Sequence, residues 1–193
     1  MTTLTTAPAL FLCDSPSVSP AKILIVDDEP SVCQILQRWL QAAGHTCETA
    51  GNAQEAWRKL EEADTALLIS DIKMPGKSGM QLLAEAKERF GDWVAVVMVT
   101  AFDDRAIAIH ALELGAYGYI AKPFERNEVL INVVNALERR RLVLANKQYQ
   151  RYLEEEIRER TVALRKSEEE IALRLMSASQ YRDDETGAHI RRI

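Results

Sequence analysis

Apolar residues occur in short continuous runs that alternate with amphipathic segments along the chain. The runs are 23–26, 66–69 and 94–99, with a weaker run at 116–120 and a more polar one at 45–50. Continuous apolar runs of this length are typical of strands that are buried on both faces of a parallel sheet. The more polar run suits an outer strand, so the pattern predicts five strands.

The segments between these runs predict five helices. The first has Leu36 on its apolar face, Pro30 at its start and Gly44 as its stop. Asn52, with Glu55 three residues later, predicts a capping box at the start of the second helix. Alternating strands and helices indicate a doubly wound α/β domain, in which helices cover both faces of a five-stranded parallel sheet.

The fifth predicted helix has no stop signal, because residues 137–181 contain neither Pro nor Gly. Their composition favours one long C-terminal helix. A mostly apolar row spaced by seven consists of Val143, Gln150, Ile157, Leu164, Ile171 and Ala178. A mostly polar companion row consists of Asn146, Leu153, Arg160, Ser167 and Arg174. We favour a parallel coiled-coil homodimer through this helix, with a solvated single helix as the alternative.

Composition narrows the classes of function. Hydrophobic residues make up 47% and charged residues 27%, which excludes a wholly disordered chain. The net charge of -5 disfavours general nucleic-acid binding, and no basic helix-turn-helix follows the α/β segment, so we expect no DNA partner. The longest apolar run, 93–102, is about half of a membrane span, so we expect no membrane partner. Three cysteines without metal spacing and no visible signal peptide predict a cytoplasmic protein with reduced thiols.

Polar side chains follow the predicted strands at their carboxyl ends. Asp27 and Asp28 follow the first strand, Asp71 the third and Lys122 the fifth, while Thr100 ends the fourth. These strand ends form one edge of the sheet, where such folds bind ligands, so we expect one crevice. Three carboxylates in one crevice require a cation, and Mg²⁺ is suited to oxygen ligands beside phosphate. The set fits phosphoryl transfer to an aspartate, although each residue alone is more often a cap or a turn residue.

Four motifs in this order resemble the receiver domain of two-component response regulators. They are Asp27-Asp28-Glu29, Asp71-Ile72-Lys73-Met74-Pro75-Gly76-Lys77-Ser78-Gly79, Thr100-Ala101 and Lys122-Pro123-Phe124. The resemblance covers about residues 21–140. It implies a flavodoxin-like sheet with the strand order 2-1-3-4-5.

The resemblance implies how the acidic residues act. Asp71 would accept a phosphoryl group from a histidine kinase or a phosphotransfer protein. Asp28, Asp71 and the backbone carbonyl of Lys73 would ligate Mg²⁺ directly, and Asp27 would act through water. The chain would then be no enzyme beyond catalysing its own phosphorylation and dephosphorylation.

The resemblance also implies a switch. Thr100, with the adjacent Ala101, and Lys122 would bind the phosphoryl oxygens, and the Lys122–Pro123 peptide bond would be cis. Tyr119 occupies the position of the family's switch aromatic, although the residue could also be an ordinary half-buried strand residue. We expect phosphorylation to change the face formed by helix four, strand five and helix five, and thereby the register or orientation of the dimer.

A second resemblance lies near the C-terminus. The segment Arg182-Asp183-Asp184-Glu185-Thr186-Gly187-Ala188-His189-Ile190-Arg191-Arg192 is similar to the opening of an HD-GYP domain, whose Glu and His belong to a metal centre that hydrolyses cyclic di-GMP. A solvated pair is the alternative for Glu185 and His189. The His-Asp doublet and the Gly-Tyr-Pro motif do not occur in the sequence, so we expect no phosphodiesterase activity from this chain.

The expected organisation has four parts. They are a disordered leader at 1–20, a receiver domain at 21–140, a helical or coiled-coil linker at 141–176 and the start of a truncated HD-GYP-like domain at 177–193. The expected function is a phosphorylation-activated switch that controls an HD-GYP output. Two other functions stay open: a phosphorylation-independent dimerisation module, and an aspartyl-nucleophile, Mg²⁺-dependent phosphatase of the haloacid dehalogenase type. The phosphatase is disfavoured because Asp27-Asp28-Glu29 lacks the Asp-x-Asp pattern.

Overall fold

Five parallel strands form a single sheet in the computed structural model, which describes residues 20–101 and 105–190. Residues 1–19 of the predicted leader therefore lie outside the described residues. The strands are β1 (Lys22–Val26), β2 (Thr46–Ala50), β3 (Leu67–Asp71), β4 (Ala95–Ala101) and β5 (Gly118–Lys122). Their order is β2-β1-β3-β4-β5, and every neighbouring pair is parallel. The predicted fold class and strand order are confirmed.

Helices connect consecutive strands, as the amphipathic pattern predicts. They are α1 (Pro30–Ala42), α2 (Ala53–Glu62), α3 (Gly79–Phe90), α4 (Arg105–Glu113) and α5 (Arg126–Ile190), with a short 3₁₀ turn at Gly91–Trp93 before β4. The long C-terminal helix is therefore present as one element. In the part of the chain that is described, no helix combines the length and apolarity needed to cross a membrane.

The core lies on both faces of the sheet, because alternate strand residues point to opposite sides. On one face, strand residues such as Leu24 and Leu68 pack with buried residues of α2, α3 and α4. On the other face, residues such as Ile23 and Ile69 pack with α1 and with the first three turns of α5, through Ala136. The helices thereby leave the carboxyl ends of the strands free to form a site.

The start of α2 differs slightly from the capping box that the sequence predicts. The Glu55 backbone N–H donates to Asn52 Oδ1 at 2.8 Å, as expected. The Glu55 carboxylate, however, accepts from the Gly51 backbone N–H at 3.0 Å, one residue before the cap. The helix is capped, and only the return hydrogen bond of the box is displaced.

The chain divides into two compact units, Met1–Leu144 and Ala145–Ile193. The first unit contains the sheet and helices α1 to α4, together with the beginning of α5. In the second unit, the described residues all belong to α5. Most of its described side chains are exposed, including Ile157, Leu164 and Ile171 at 64%, 65% and 54%.

Candidate functional site

Three of the residues expected at the carboxyl edge of the sheet are in direct contact. Lys122 Nζ lies 2.8 Å from Asp27 Oδ2 and 2.9 Å from Asp71 Oδ1. Asp27 follows β1, while Asp71 and Lys122 end β3 and β5. Because β4 lies between β3 and β5, the lysine side chain reaches past the end of β4 to join the two carboxylates. The expectation of one crevice is met for these three side chains.

Both carboxylates that contact Lys122 are buried, and burial acts on the pKa values of Asp71 and Lys122. Asp27 is 2% exposed and Asp71 is 6% exposed. Burial raises the pKa of Asp71 above its ordinary value, and the hydrogen bond and charge of Lys122 oppose this effect without cancelling it. Burial by itself lowers the pKa of Lys122, but the hydrogen bonds to the two aspartates outweigh burial and raise that pKa. The lysine is therefore held as an ammonium ion against the two carboxylates.

Backbone hydrogen bonds fix the orientation of both carboxylates. Asp71 Oδ2 accepts from the backbone N–H of Lys73 at 2.7 Å. Asp27 Oδ1 accepts in the same way from the backbone N–H of Glu29 at 2.8 Å. Each aspartate thus has one oxygen on the lysine and the other on a backbone N–H two residues later, as in an Asx turn. Asp71 presents a held and oriented carboxylate, which suits a nucleophile.

Thr100 lies near the end of β4, whereas Tyr119 lies near the start of β5, where it pairs with Met98. Thr100 is 3% exposed, and its hydroxyl donates to the carbonyl of Ala101 at 3.2 Å. Tyr119 is 38% exposed on β5. The Lys122–Pro123 peptide bond is cis, the form that the resemblance implies. The hydroxyl of Thr100 is therefore buried close to the end of β4, while the Tyr119 ring is partly open to solvent.

Asp28 differs from Asp27 in its burial. Its side chain is exposed, whereas that of Asp27 is buried. Successive side chains of an extended segment point in opposite directions, so the two aspartates that follow β1 cannot both face the interior. Among the side chains that the structure describes, no group of three or more from His, Cys, Asp and Glu is placed to hold a metal ion. Close contact with Lys122 is thus seen for Asp27 and Asp71, and the role of Asp28 as a metal ligand stays a prediction.

The chemistry of the site nevertheless fits a hard cation. Two buried carboxylates face one ammonium, which leaves a negative charge, and Glu29 Oε1 adds a further carboxylate 3.7 Å from Lys122 Nζ. Carboxylate and carbonyl oxygens are the ligands that Mg²⁺ prefers. Charge and ligand type therefore favour a magnesium ion at this edge.

Two residues beside Asp71 were not assigned a role from the sequence. Ser70 Oγ donates to the carbonyl oxygen of Asp71 at 3.0 Å. The backbone N–H of Gly79, at the start of α3, donates to the carbonyl of Ile72 at 3.0 Å. Gly79 ends the sequence motif that begins at Asp71, but its spacing along the chain gives no signal that the start of α3 lies against Asp71.

The C-terminal candidates Glu185 and His189 both belong to α5, where they are four residues apart. Their backbone is helical, as the predicted pairing on one helix face requires. Their side chains lie outside the described part of the structure. Their role as metal ligands therefore stays a prediction.

Sequence comparisons match this chain to a family model and to transcriptional regulators. Residues 23–134 match the family model described as the response regulator receiver domain. The C4-dicarboxylate transport transcriptional regulatory protein DctD of Pseudomonas aeruginosa is 36% identical over 137 residues, which cover 69% of this chain and 29% of that protein. The DNA-binding transcriptional regulator NtrC of Escherichia coli is 36% identical over 115 residues, which cover 60% of this chain and 24% of that protein. The chain spans less than a third of the length of these curated relatives.

Solved structures resemble the same part of the chain. A response regulator receiver domain protein from Clostridium thermocellum has a TM-score of 0.61 and 34% identity, covering 64% of this chain and 98% of that chain. NtrX from Brucella abortus, in complex with ADP, has a TM-score of 0.64 and 30% identity, covering 66% of this chain and 29% of that chain. The similarity to an almost complete receiver domain agrees with the flavodoxin-like topology described above.

Proposed function

We propose that this chain, which belongs to the response regulator receiver domain family, acts as a phosphorylation-dependent switch in a two-component system. Asp71 is the proposed acceptor, and its donor is a phosphohistidine of a histidine kinase or a phosphotransfer protein. A carboxylate oxygen of Asp71 forms the new bond to phosphorus while the bond from phosphorus to the histidine nitrogen breaks. The observation that carries this proposal is the contact of Lys122 Nζ with Asp71 Oδ1 at 2.9 Å.

The surrounding groups have distinct parts in this transfer. The Lys73 backbone N–H holds one oxygen of Asp71, so that the carboxylate cannot rotate freely. Lys122 lies where its ammonium offsets charge on the transferred phosphoryl oxygens. The buried hydroxyl of Thr100 and the neighbouring Ala101 would hold a phosphoryl oxygen on the side of β4. The burial of Asp71 limits the access of water to the acyl phosphate.

Magnesium is the proposed cofactor. Asp28, Asp71 and the backbone carbonyl of Lys73 would hold the ion directly, and Asp27 would hold it through water. When bound, the ion neutralises negative charge on the carboxylates and on the phosphoryl group. The excess of buried carboxylate over ammonium at this edge supports the assignment.

Helix α5 offers a path from the site to an output. Val129 and Val133 in its first turns are fully buried against the sheet. The same helix continues as far as Ile190 and carries the exposed apolar row that contains Ile157 and Leu164. We propose that phosphorylation changes the α4–β5–α5 face through Thr100 and Tyr119. The change would then alter a homodimer formed through α5 and the linker.

The proposed output is of the HD-GYP type. Its support is the resemblance of residues 182–192 to the opening of such a domain. The present chain should not hydrolyse cyclic di-GMP, because the motifs that supply the remaining metal ligands are absent from its sequence. Incubation of the purified chain with cyclic di-GMP and Mn²⁺ or Mg²⁺ tests this point, and a linear dinucleotide product would contradict it.

Phosphorylation of Asp71 can be tested directly. The purified chain is incubated with acetyl phosphate and Mg²⁺, and intact mass spectrometry should find one added phosphoryl group that hydroxylamine removes. Asp71→Asn should abolish the addition, whereas Asp64→Asn, at an exposed aspartate, should not. Rapid hydrolysis of p-nitrophenyl phosphate without a stable acyl phosphate would instead favour the phosphatase.

A further inference from the structure

The loop between β3 and α3 contains two glycines that are needed for different physical reasons. Gly76 has a φ of 80°, a conformation that only glycine adopts readily. Gly79 does not have a positive φ. A Cβ atom built on Gly79 would lie 1.9 Å from the carbonyl oxygen of Asp71 and 3.0 Å from Ser70 Oγ. Gly79 is therefore needed for space, because the helix backbone and the end of β3 approach each other closely.

The start of α3 is anchored independently of this contact. The backbone N–H of Gln81 donates to Ser78 Oγ at 3.3 Å, and the backbone N–H of Ser78 donates to Gln81 Oε1 at 3.0 Å, which completes a capping box. Leu82 and Leu83, near the start of α3, are fully buried in the core. A side chain added at Gly79 would therefore push against a helix that is capped and packed, so much of the displacement would fall on the end of β3.

The end of β3 is the segment that carries the acceptor. Ser70 Oγ donates to the carbonyl of Asp71, and the Gly79 N–H donates to the carbonyl of Ile72. The side chain of Asp71 extends from this backbone segment, and its Oδ1 lies 2.9 Å from Lys122 Nζ. A displacement of the backbone of Asp71 would be transmitted to that contact.

We propose that Gly79 and Ser70 are positioning residues for phosphoryl transfer, which together set the place of the Asp71 backbone. Gly79 does so by leaving room for the Asp71 carbonyl, and Ser70 does so by donating a hydrogen bond to that carbonyl. Neither residue touches the transferred group. The proposal rests on the proposed role of Asp71 as the phosphoryl acceptor.

The expected effect follows from the distances. A Cβ at Gly79 requires the Asp71 carbonyl or the helix to move by about 1 Å, and a misplacement of this size in a reacting group can cost about 100-fold in rate. Gly79→Ala should therefore lower the maximal rate of acyl phosphate formation about 100-fold. The acetyl phosphate concentration at half-maximal rate should change little, because the groups that bind the donor are Lys122 and Thr100.

The experiment compares the full chain with three variants under saturating Mg²⁺. Gly51→Ala is the matched control, because a Cβ there meets nothing within 4 Å and the φ of Gly51 is not positive. Rates are measured over a range of acetyl phosphate concentrations, and folding is checked by circular dichroism and thermal melting. The proposal expects a large fall in the maximal rate for Gly79→Ala and none for Gly51→Ala. Equal maximal rates in the wild type and a folded Gly79→Ala variant would overturn it.

Ser70→Ala adds no atoms next to Gly79, so it can test the proposal even if Gly79→Ala does not fold. Ser70→Ala removes only the hydroxyl, and it should lower the maximal rate about fivefold, with a loss of about 1 kcal/mol in the free energy of unfolding that leaves the protein folded. If Gly79→Ala is unfolded, a wild-type rate in Ser70→Ala overturns the positioning role. If the wild type itself gains no phosphoryl group on Asp71, the proposed function and the positioning role both fall. If the wild type is phosphorylated on Asp71 and the variants have the same maximal rate as the wild type, only the positioning role is overturned.

Discussion

The Nζ atom of Lys122 lies 2.9 Å from Oδ1 of Asp71, and this contact joins the end of β5 to the end of β3 across the carboxyl edge of the sheet. The same ammonium lies 2.8 Å from Asp27 Oδ2. Since the ammonium is the group that faces both buried carboxylates, its removal should affect stability as well as chemistry. The two effects can be separated, because stability is measured without a phosphodonor.

Lys122→Met keeps the length of the side chain but removes its charge. We expect a loss of about 1–3 kcal/mol in the free energy of unfolding at pH 7, because two buried carboxylates lose their partner. Phosphorylation of Asp71 should slow about 100-fold or more. Urea unfolding in EDTA and the acetyl phosphate assay measure these quantities. Lys22→Met, which breaks the more exposed pair of Lys22 with Glu48 at 2.7 Å, should cost less than about 1 kcal/mol.

Thr100→Ala should separate phosphorylation from its consequence. The hydroxyl of Thr100 donates only to the neighbouring Ala101 carbonyl among the described hydrogen bonds, so its removal should change the melting temperature little. Asp71 should still be phosphorylated, but disulfide crosslinking of cysteines placed along 143–171 should no longer respond to acetyl phosphate. Thr100→Ser, which retains the hydroxyl, should restore the response. An identical response in wild type and Thr100→Ala would contradict the role of this hydroxyl in the switch.

The site was partly predictable because strand ends in a parallel sheet converge by topology alone. Once Asp71 and Lys122 are placed after the third and fifth strands, their proximity follows from the strand order. The difference in burial between Asp27 and Asp28 agrees with the alternation of side chains along an extended segment. The close approach of Gly79 to the Asp71 carbonyl could not be predicted from the strand order, because it depends on how closely a helix packs on a strand. No spacing along the chain encodes that distance.

The apolar row on α5 gives a matched test of dimerisation. Leu164 belongs to this row and is 65% exposed, whereas Val162, at 49% exposed, does not. Leu164→Glu should convert a dimer to a monomer in sedimentation analysis. The dimer would otherwise have to bury a charged glutamate from each chain at position 164. Val162→Glu should leave the dimer intact. A monomeric wild type at micromolar concentration would favour the solvated single helix.

His45 predicts a pH dependence of stability that is separate from the site. The residue is 5% exposed, and its Nδ1 has no hydrogen-bond partner among the described residues. Burial lowers the pKa of His45 below its ordinary value. Below about pH 6.5 the unfolded chain therefore binds a proton that the folded chain does not, so stability falls as the pH falls.

His45→Phe should remove this part of the acid sensitivity. The free energy of unfolding, measured by urea between pH 8 and pH 5, should fall less steeply in the variant than in the wild type, by at most about 1.4 kcal/mol per pH unit. His110→Gln, at an exposed histidine, should keep the dependence of the wild type. Parallel curves for the wild type and His45→Phe would show that His45 titrates normally in the folded chain.

The side chain of Tyr117 contacts both the 3₁₀ turn before β4 and helix α5. Its substitution therefore tests how much these contacts stabilise the first unit. Its hydroxyl donates to Asp92 Oδ1 at 3.0 Å. Its ring centroid lies 4.3 Å from Lys87 Nζ and 4.8 Å from Arg139 Cζ. Burial, followed by the hydrogen bond to Asp92, raises the pKa of Tyr117 to about 12. The phenol is therefore held in its neutral form while two cations lie near its ring.

Two substitutions separate the hydroxyl from the ring. Tyr117→Phe removes the hydrogen bond to Asp92 and should cost about 1 kcal/mol in urea unfolding, whereas Tyr117→Leu should cost more, because both cation–π contacts are also lost. Above about pH 10 the unfolded chain releases the phenolic proton before the folded chain does, so wild-type stability should fall as the pH rises. Tyr117→Phe should lack this contribution, and the stability difference between the two proteins should shrink between pH 8 and pH 11. A constant difference over that range would mean that the phenol has the same proton affinity in the folded and unfolded chains, which the buried hydrogen bond to Asp92 forbids.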